Sequence, residues 1–253
     1  MAAAHNLIRG TLLYTSNKPG REGRERGREH FTIVTHADGR RTLSAHCEID
    51  DEPSVLRDVT IAFDSRSHPT DCFVRISVND RFTGSSWFRF TDRAIECEAW
   101  TAADGRVSQR VDLAGPVTMF GTHPIQSDGL LTALLDPAKG PRTERYPELY
   151  LCSLDHRGAT GPLIMKHPTG LKLTLLGRER IAVAAGEFDS LHYQVGDNVD
   201  GITEDSANEP GKHPPYDMWT TADGHSVVLK AQVTGYMMTA YELTSYESRT
   251  VTG

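Results

Sequence analysis

Apolar and polar residues alternate along most of the chain. In the first half the alternation runs through TLSAHCEI (42–49), SVLRDVTIAF (54–63), CFVRISVN (72–79), SWFRF (86–90) and AIECEAW (94–100). A period of two is typical of a β-strand whose two faces meet different surroundings. The links between these segments are short and turn-like, so neighbouring strands are predicted to pair as antiparallel hairpins.

The second half repeats this pattern with one exception. The strand-like segments are KLTLLG, RERIAVAAG, FDSLHYQVG, YDMWTTADG, SVVLKAQVTG and YMMTAYELTSYE. The exception is DGLLTALLDPAKG (128–140), in which four leucines recur at helical spacing. Ser127 or Asp128 can cap its start, and Pro137 lies just past its end. This segment predicts one short helix near 128–136.

These elements predict one all-β domain over residues 1–253, with a highly curved antiparallel sheet or a lipocalin-like β-barrel and one short helix. The segment REGRERGRE (21–29) is a run of charges. It fits either an anion-binding arm or a solvated, mobile hairpin loop near 19–29. The interleaved glutamates favour the loop.

Three successive strands of the first half carry one apolar face and one mixed face. The mixed face contains Arg75, Trp87, Arg89, Glu96, Glu98 and Trp100. It can meet water, with its charges forming surface cross-strand pairs, or it can line a concave pocket for a ligand with an apolar body and a polar tip. The second arrangement gives the candidate substrate-binding residues Arg75, Trp87, Arg89, Glu98, Trp100, Trp219 and Lys230.

Composition and charge exclude several classes of protein. The net charge is -7, which argues against nucleic acid as a partner because phosphate binding needs clustered positive charge. No apolar run approaches the roughly 20 residues of a membrane span, and the start lacks the pattern of a signal peptide, so a cytoplasmic protein is expected. The four cysteines form no CxxC pair, which predicts buried thiols rather than a metal or redox motif.

The second half also resembles a known family. GRERIAVAAGEFDSLHYQV, YDMWTTADGHSVVLKAQV and YMMTAYELTSYE are similar to the DUF3108-like uncharacterised bacterial β proteins, over roughly residues 115–246. The residues that carry the resemblance are Gly177, Glu179, Ala185, Gly186, Phe188, Trp219 and Asp223. The resemblance implies a curled antiparallel sheet that approaches a half-barrel or a lipocalin-like barrel. It implies no catalytic residues.

Two segments hold candidate catalytic residues. In FGTHPIQSDG (120–129), Pro124 favours an extended backbone at His123, and Asp128 can orient the imidazole as a carboxylate fixes a base. The alternative is a surface histidine beside a helix-capping Asp128. In PPYDMWTTADG, a Tyr216–Asp217 pair can donate to a developing oxyanion. The alternative there is a plain strand in which Asp217 lies at the edge.

The function predicted from these residues is a cofactor-free enzyme, a lyase, hydratase or isomerase, that transfers protons on a small, largely apolar organic molecule. His123 with Asp128, or Tyr216 with Asp217, would move the proton, and Arg75 or Arg89 would hold an anionic oxygen. The expected partner is a hydrophobic or aromatic small molecule, and a homodimer is left open. The alternatives are a non-catalytic carrier for such a molecule and an interaction protein that uses its sheet edges. No metal or other cofactor is expected.

Overall fold

A single large antiparallel sheet dominates the computed structural model, which describes residues 4–155, 157–196, 214–235 and 237–252. Its fourteen strands are ordered β10-β13-β14-β15-β16-β17-β1-β2-β3-β4-β5-β6-β7-β8. The strands of the first half are β1 (His5–Ser16), β2 (Glu25–His36), β3 (Arg41–Ile49), β4 (Val55–Phe63), β5 (Pro69–Val78), β6 (Arg81–Phe90), β7 (Ala94–Thr101) and β8 (Gly105–Asp112). Those of the second half are β10 (Arg142–Tyr146), β13 (Leu171–Val183), β14 (Gly186–Val195), β15 (Tyr216–Thr221), β16 (Val228–Val233) and β17 (Thr239–Val251).

Hairpins build the sheet in two runs, one from β1 to β8 and one from β13 to β17. The two runs are joined where the last strand, β17, pairs with the first, β1. Period-two alternation places one row of each strand on the inner face. In β4, Val55 and Val59 are buried while the intervening Leu56 is 39% exposed on the outer face. The predicted all-β class with a highly curved antiparallel sheet and one short helix is confirmed.

The segment between the two runs lies on the inner face of the sheet. It forms the small sheet β12-β11-β9, with β9 (Met119–Gly121), β11 (Leu149–Leu151) and β12 (Met165–Lys166), and the helix α1 (Ile125–Leu131). Phe120 packs on Phe88 of β6, with ring centroids 4.9 Å apart. Gly129 of α1 lies so close to β16 that an added Cβ would be 2.5 Å from Val228. The sheet therefore curls around this segment, because β6 and β16 are seven positions apart in the strand order.

The helix begins earlier than its sequence predicts. α1 runs over Ile125–Leu131 and is followed by two 3-10 turns, at Thr132–Leu134 and Pro137–Lys139. The residue before it is Pro124, and no local side chain caps its start. The local capping signal of Ser127 or Asp128 was misleading, because Glu29 of a distant strand binds the first backbone N–H groups of the helix.

The charged segment 19–29 is only partly a loop. β2 begins at Glu25, so the second half of the predicted mobile loop belongs to the sheet. The four cysteines are free and buried, as predicted. Within the described ranges, no helix has the length and apolar character needed to span a membrane.

Candidate functional site

A cavity of about 550 Å³ lies among inward-facing side chains of the curled sheet and the segment that it encloses. Its apolar wall includes Ile49, Ile125, Leu131, Leu149, Leu151, Leu154, Leu171, Leu173, Val195 and Val233. Its polar wall includes Tyr14, Arg26, Asp51, Arg57, His123, Asp128, Tyr216 and Tyr241. A cavity of this size with a few convergent polar groups is typical of a small-molecule site.

Glu29 lies beside this cavity and is fully buried. Its carboxylate accepts hydrogen bonds from the Tyr14 hydroxyl at 2.7 Å and from the backbone N–H groups of Ile125 at 2.8 Å and Gln126 at 3.1 Å. Burial raises the pKa of Glu29 to about 7, against the opposing effect of these three bonds. Glu29 therefore anchors the start of α1 from β2 and carries a proton part of the time at neutral pH.

Asp128 lines the cavity one helical turn further on. Its Oδ2 accepts a hydrogen bond of 2.7 Å from the hydroxyl of Tyr216 on β15. Burial raises the pKa of Asp128 to about 6, while the bond from Tyr216 and the charge of Arg57 act in the opposite direction. The structure thus brings together, at the cavity wall, a carboxyl group that titrates near neutral pH and a phenol that donates a hydrogen bond to it.

Arg57 is the buried cation of the site. It stands on the inner face of β4 at 2% exposure and lines the cavity. Its Nε and Nη2 have no hydrogen-bond acceptor among the described residues. The loop above it can approach because residue 158 is glycine: a Cβ there would lie 2.7 Å from Arg57 Nη2 and 2.7 Å from the His123 ring.

His123 has a strained backbone. Its φ is +75°, in the left-handed region that non-glycine residues rarely adopt, whereas the following proline predicted an extended conformation. Its Nε2 lies 3.1 Å from the carbonyl oxygen of Ser153, and because a carbonyl only accepts, this nitrogen carries the hydrogen. The strain turns His123 into the wall of the cavity that also contains Asp128 and Tyr216.

The predicted pairing of Tyr216 with Asp217 is wrong. Neighbouring residues of a strand point to opposite faces, so Tyr216 faces the cavity while Asp217 lies on the outer face. There the carboxylate of Asp217 is 2.8 Å from Nε2 of His192. The partner of Tyr216 is Asp128, 88 residues away in the sequence.

The predicted substrate-binding residues do not line the interior cavity. The mixed face of β5, β6 and β7 is the outer face of the sheet, and Trp87 and Trp100 are 45% and 59% exposed there. Arg75, Arg89 and Glu98 share that face. Trp219 stacks on His192, and the Lys230 ammonium lies 5.5 Å from the Trp219 ring on the same side of the sheet. The arrangement in which the mixed face meets water is the one observed, because the apolar row packs against the enclosed segment.

Sequence reasoning missed Tyr14, Glu29, Arg57 and Tyr241. A usable signal was present for two of them. Arg57 interrupts the inner apolar row of SVLRDVTIAF, and Glu29 occupies the inner row that continues with Phe31 and Ile33. A charged residue in an otherwise apolar row is a functional signal, since burial of an unpaired charge is costly.

A solved structure of similar fold is the β-barrel-like protein of the domain of unknown function DUF1849 from Brucella abortus. The two chains share 11% sequence identity with a TM-score of 0.52, over 98% of this chain and 98% of that chain. No protein-family model and no curated protein matches the chain. The comparison shows a β-barrel-like fold of uncharacterised type. It does not point to the DUF3108 proteins, so that resemblance stays an interpretation of the sequence.

Proposed function

We propose that the protein binds one small, largely apolar organic molecule in the interior cavity. The observation that carries this proposal is the cavity of about 550 Å³, whose wall combines ten aliphatic side chains with a compact polar group around Arg57 and Asp128. An aliphatic wall favours an apolar ligand by the hydrophobic effect, and a few fixed polar groups give it one orientation. A carrier and an enzyme both need this binding step.

Binding is testable with N-phenyl-1-naphthylamine, a neutral dye whose fluorescence rises in apolar surroundings. We expect saturable enhancement at one dye per chain. The variant Leu171→Asp should bind the dye about tenfold more weakly, because it places a charge in the apolar wall of the cavity.

The matched control is Leu176→Asp on the same strand. Leu176 is 46% exposed and does not line the cavity. Its variant should bind the dye like the unchanged protein. Urea unfolding of both variants checks that each is folded. Equal dye affinity in both variants would contradict binding in the interior cavity.

A second candidate function is proton transfer to or from the bound molecule, as in a cofactor-free isomerase, hydratase or lyase. The observation that favours it is Asp128, whose half-buried carboxyl has a pKa raised to about 6 and is hydrogen-bonded to Tyr216 at the cavity wall. A base with a pKa near the working pH transfers protons most efficiently. In this proposal Asp128 takes the proton and Tyr216 supports the developing charge. The Nε2–H of His123 is held by the Ser153 carbonyl, so a neutral His123 offers the ligand only Nδ1 as an acceptor.

Proton transfer can be measured without knowledge of the natural substrate. We expect the protein in D₂O to accelerate deuterium incorporation at the carbon next to the carbonyl of 2-tetralone, an apolar ketone. Asp128→Asn should lower that acceleration by about 100-fold or more. Asp217→Asn is the matched control, because Asp217 lies on the outer face and its loss should change nothing. If Asp128→Asn exchanges deuterium as fast as the unchanged protein, the assignment of the base is wrong.

A further inference from the structure

Arg57 is the residue that the local structure leaves unexplained. It occupies an inner position of β4 between Val55 and Val59, where every other inner residue of the strand is apolar. At 2% exposure it is the largest fully buried side chain among the described residues. A guanidinium cannot lose its charge at any ordinary pH. The fold therefore keeps a permanent positive charge at the wall of the cavity.

The carboxyls of Glu29 and Asp128 already accept hydrogen bonds from other donors. Glu29 is held by Tyr14 and by two backbone N–H groups of α1, and Asp128 is held by Tyr216. In the described part of the chain, neither Nε nor Nη2 of Arg57 reaches an acceptor. Buried polar groups are almost always hydrogen-bonded, and buried donors without acceptors are costly. A ligand bound in the cavity is therefore best placed to supply the acceptor that Nε and Nη2 of Arg57 lack.

The charge balance of the interior selects the acceptor. Arg57 is the fully buried guanidinium of the described cavity wall, whereas Arg26, which also lines the cavity, is partly exposed and pairs with Asp51. The carboxyls of Glu29 and Asp128 both titrate close to neutral pH. The charge of a ligand with one negative charge is compensated when the carboxyls of Glu29 and Asp128 take up protons. A phosphate monoester adds nearly two negative charges beside them and is disfavoured. A carboxylate also matches the planar fork of a guanidinium, which can donate two parallel hydrogen bonds through Nε and Nη2.

The aliphatic part of the cavity wall favours an apolar body for the ligand. Leu149, Leu151, Leu154, Leu171 and Leu173 line the cavity together with valines of β14 and β16. These aliphatic side chains offer no hydrogen bonds, so they favour a hydrocarbon body. We propose that the cavity binds a monocarboxylic acid with an apolar body, and that Arg57 receives its carboxylate. This inference rests on the proposed binding function and names the class of its ligand.

The experiment is competition against N-phenyl-1-naphthylamine with three molecules that share one tail: decanoic acid, decanol and decyl phosphate. For the unchanged protein, decanoic acid should displace the dye at a concentration at least tenfold lower than decanol or decyl phosphate. In Arg57→Met, decanoic acid should lose at least tenfold in affinity, while decanol keeps its affinity. Arg57→Met keeps an unbranched apolar stem in place of the charged side chain, and loss of an unpaired buried charge need not destabilise a fold.

The control is Arg75→Met, which removes an exposed arginine from the outer face of the neighbouring strand. It should leave all three affinities unchanged. If the dye and decanol bind but decanoic acid shows no advantage, or if Arg57→Met leaves decanoic acid binding unchanged, the inference is wrong while the binding function stands. If neither the dye nor any of the three molecules binds to the unchanged protein, the proposed function and the inference fail together.

Discussion

Replacing Glu29 with alanine should lower the free energy of unfolding by about 3 kcal/mol or more. The change removes the acceptor of three buried hydrogen bonds, which come from the Tyr14 hydroxyl and from the N–H groups of Ile125 and Gln126. A buried donor left without an acceptor costs about 1–3 kcal/mol. Helix α1 has only seven residues and cannot persist without its tertiary contacts.

The loss should be visible in urea unfolding followed by circular dichroism. Glu29→Gln is the informative second variant, because its amide oxygen keeps an acceptor and its loss of stability should be about 1 kcal/mol. Glu25→Ala is the matched control on the same strand. Glu25 forms an exposed ion pair with Arg28, and exposed ion pairs contribute about 0–1 kcal/mol. A Glu29→Ala variant as stable as Glu25→Ala would show that Glu29 does not hold the helix.

Raising the pH from 5 to 8 should destabilise the protein by about 3 kcal/mol. The folded-state pKa of Glu29 is about 7, against an ordinary value of 4.5, and that of Asp128 is about 6, against 3.8. At a pH between the unfolded and the folded pKa of each group, the folded protein holds a proton that the unfolded chain has released. The stability that this protonation contributes is complete below the unfolded pKa values and is lost as the pH rises through 6 and 7.

The groups around Glu29 support a loss of stability as the pH rises. Tyr14 of β1, Cys47 of β3 and Tyr241 of β17 face it, and Asp128 adds a like charge that raises its pKa. Burial is the largest cause of the raised pKa of Glu29, and Arg57 does not form an ion pair with it. Among the described residues that affect Glu29, no positive charge therefore lowers its pKa back to the ordinary value.

The pH dependence is measured by urea unfolding at pH 5, 6, 7 and 8. The double variant Glu29→Gln with Asp128→Asn should lose most of the slope, because its two amides do not titrate. The histidines are the same in both proteins, so the difference between the two curves isolates the two carboxyls. A stability that rises from pH 5 to pH 8 in the unchanged protein would refute the assignment of the raised pKa values.

Local patterns determined most of the fold. Period-two alternation places β3, β4 and β7 to within one residue at each end, because each residue of a half-buried strand faces either the core or solvent. It misses the first residues of β5 and the first half of β6. Cys47, Cys72 and Cys97 follow the same rule, since each lies in the buried row of its strand. The helix was placed within a few residues. Its start was missed because Glu29, almost 100 residues earlier in the sequence, replaces the local cap.

Tertiary structure alone decided the site. Alternation places Arg57 in the apolar row of its strand and Trp87 on the face opposite the apolar row of its strand. It does not show which face of the sheet is concave. That depends on the segment with β9 and α1, which fills the curl and turns the apolar rows inward. Asp128 meets Tyr216, and Glu29 meets α1, only through this long-range packing. The sequence by itself determined the strands and their two faces, and the enclosed segment decided which polar residues share a cavity.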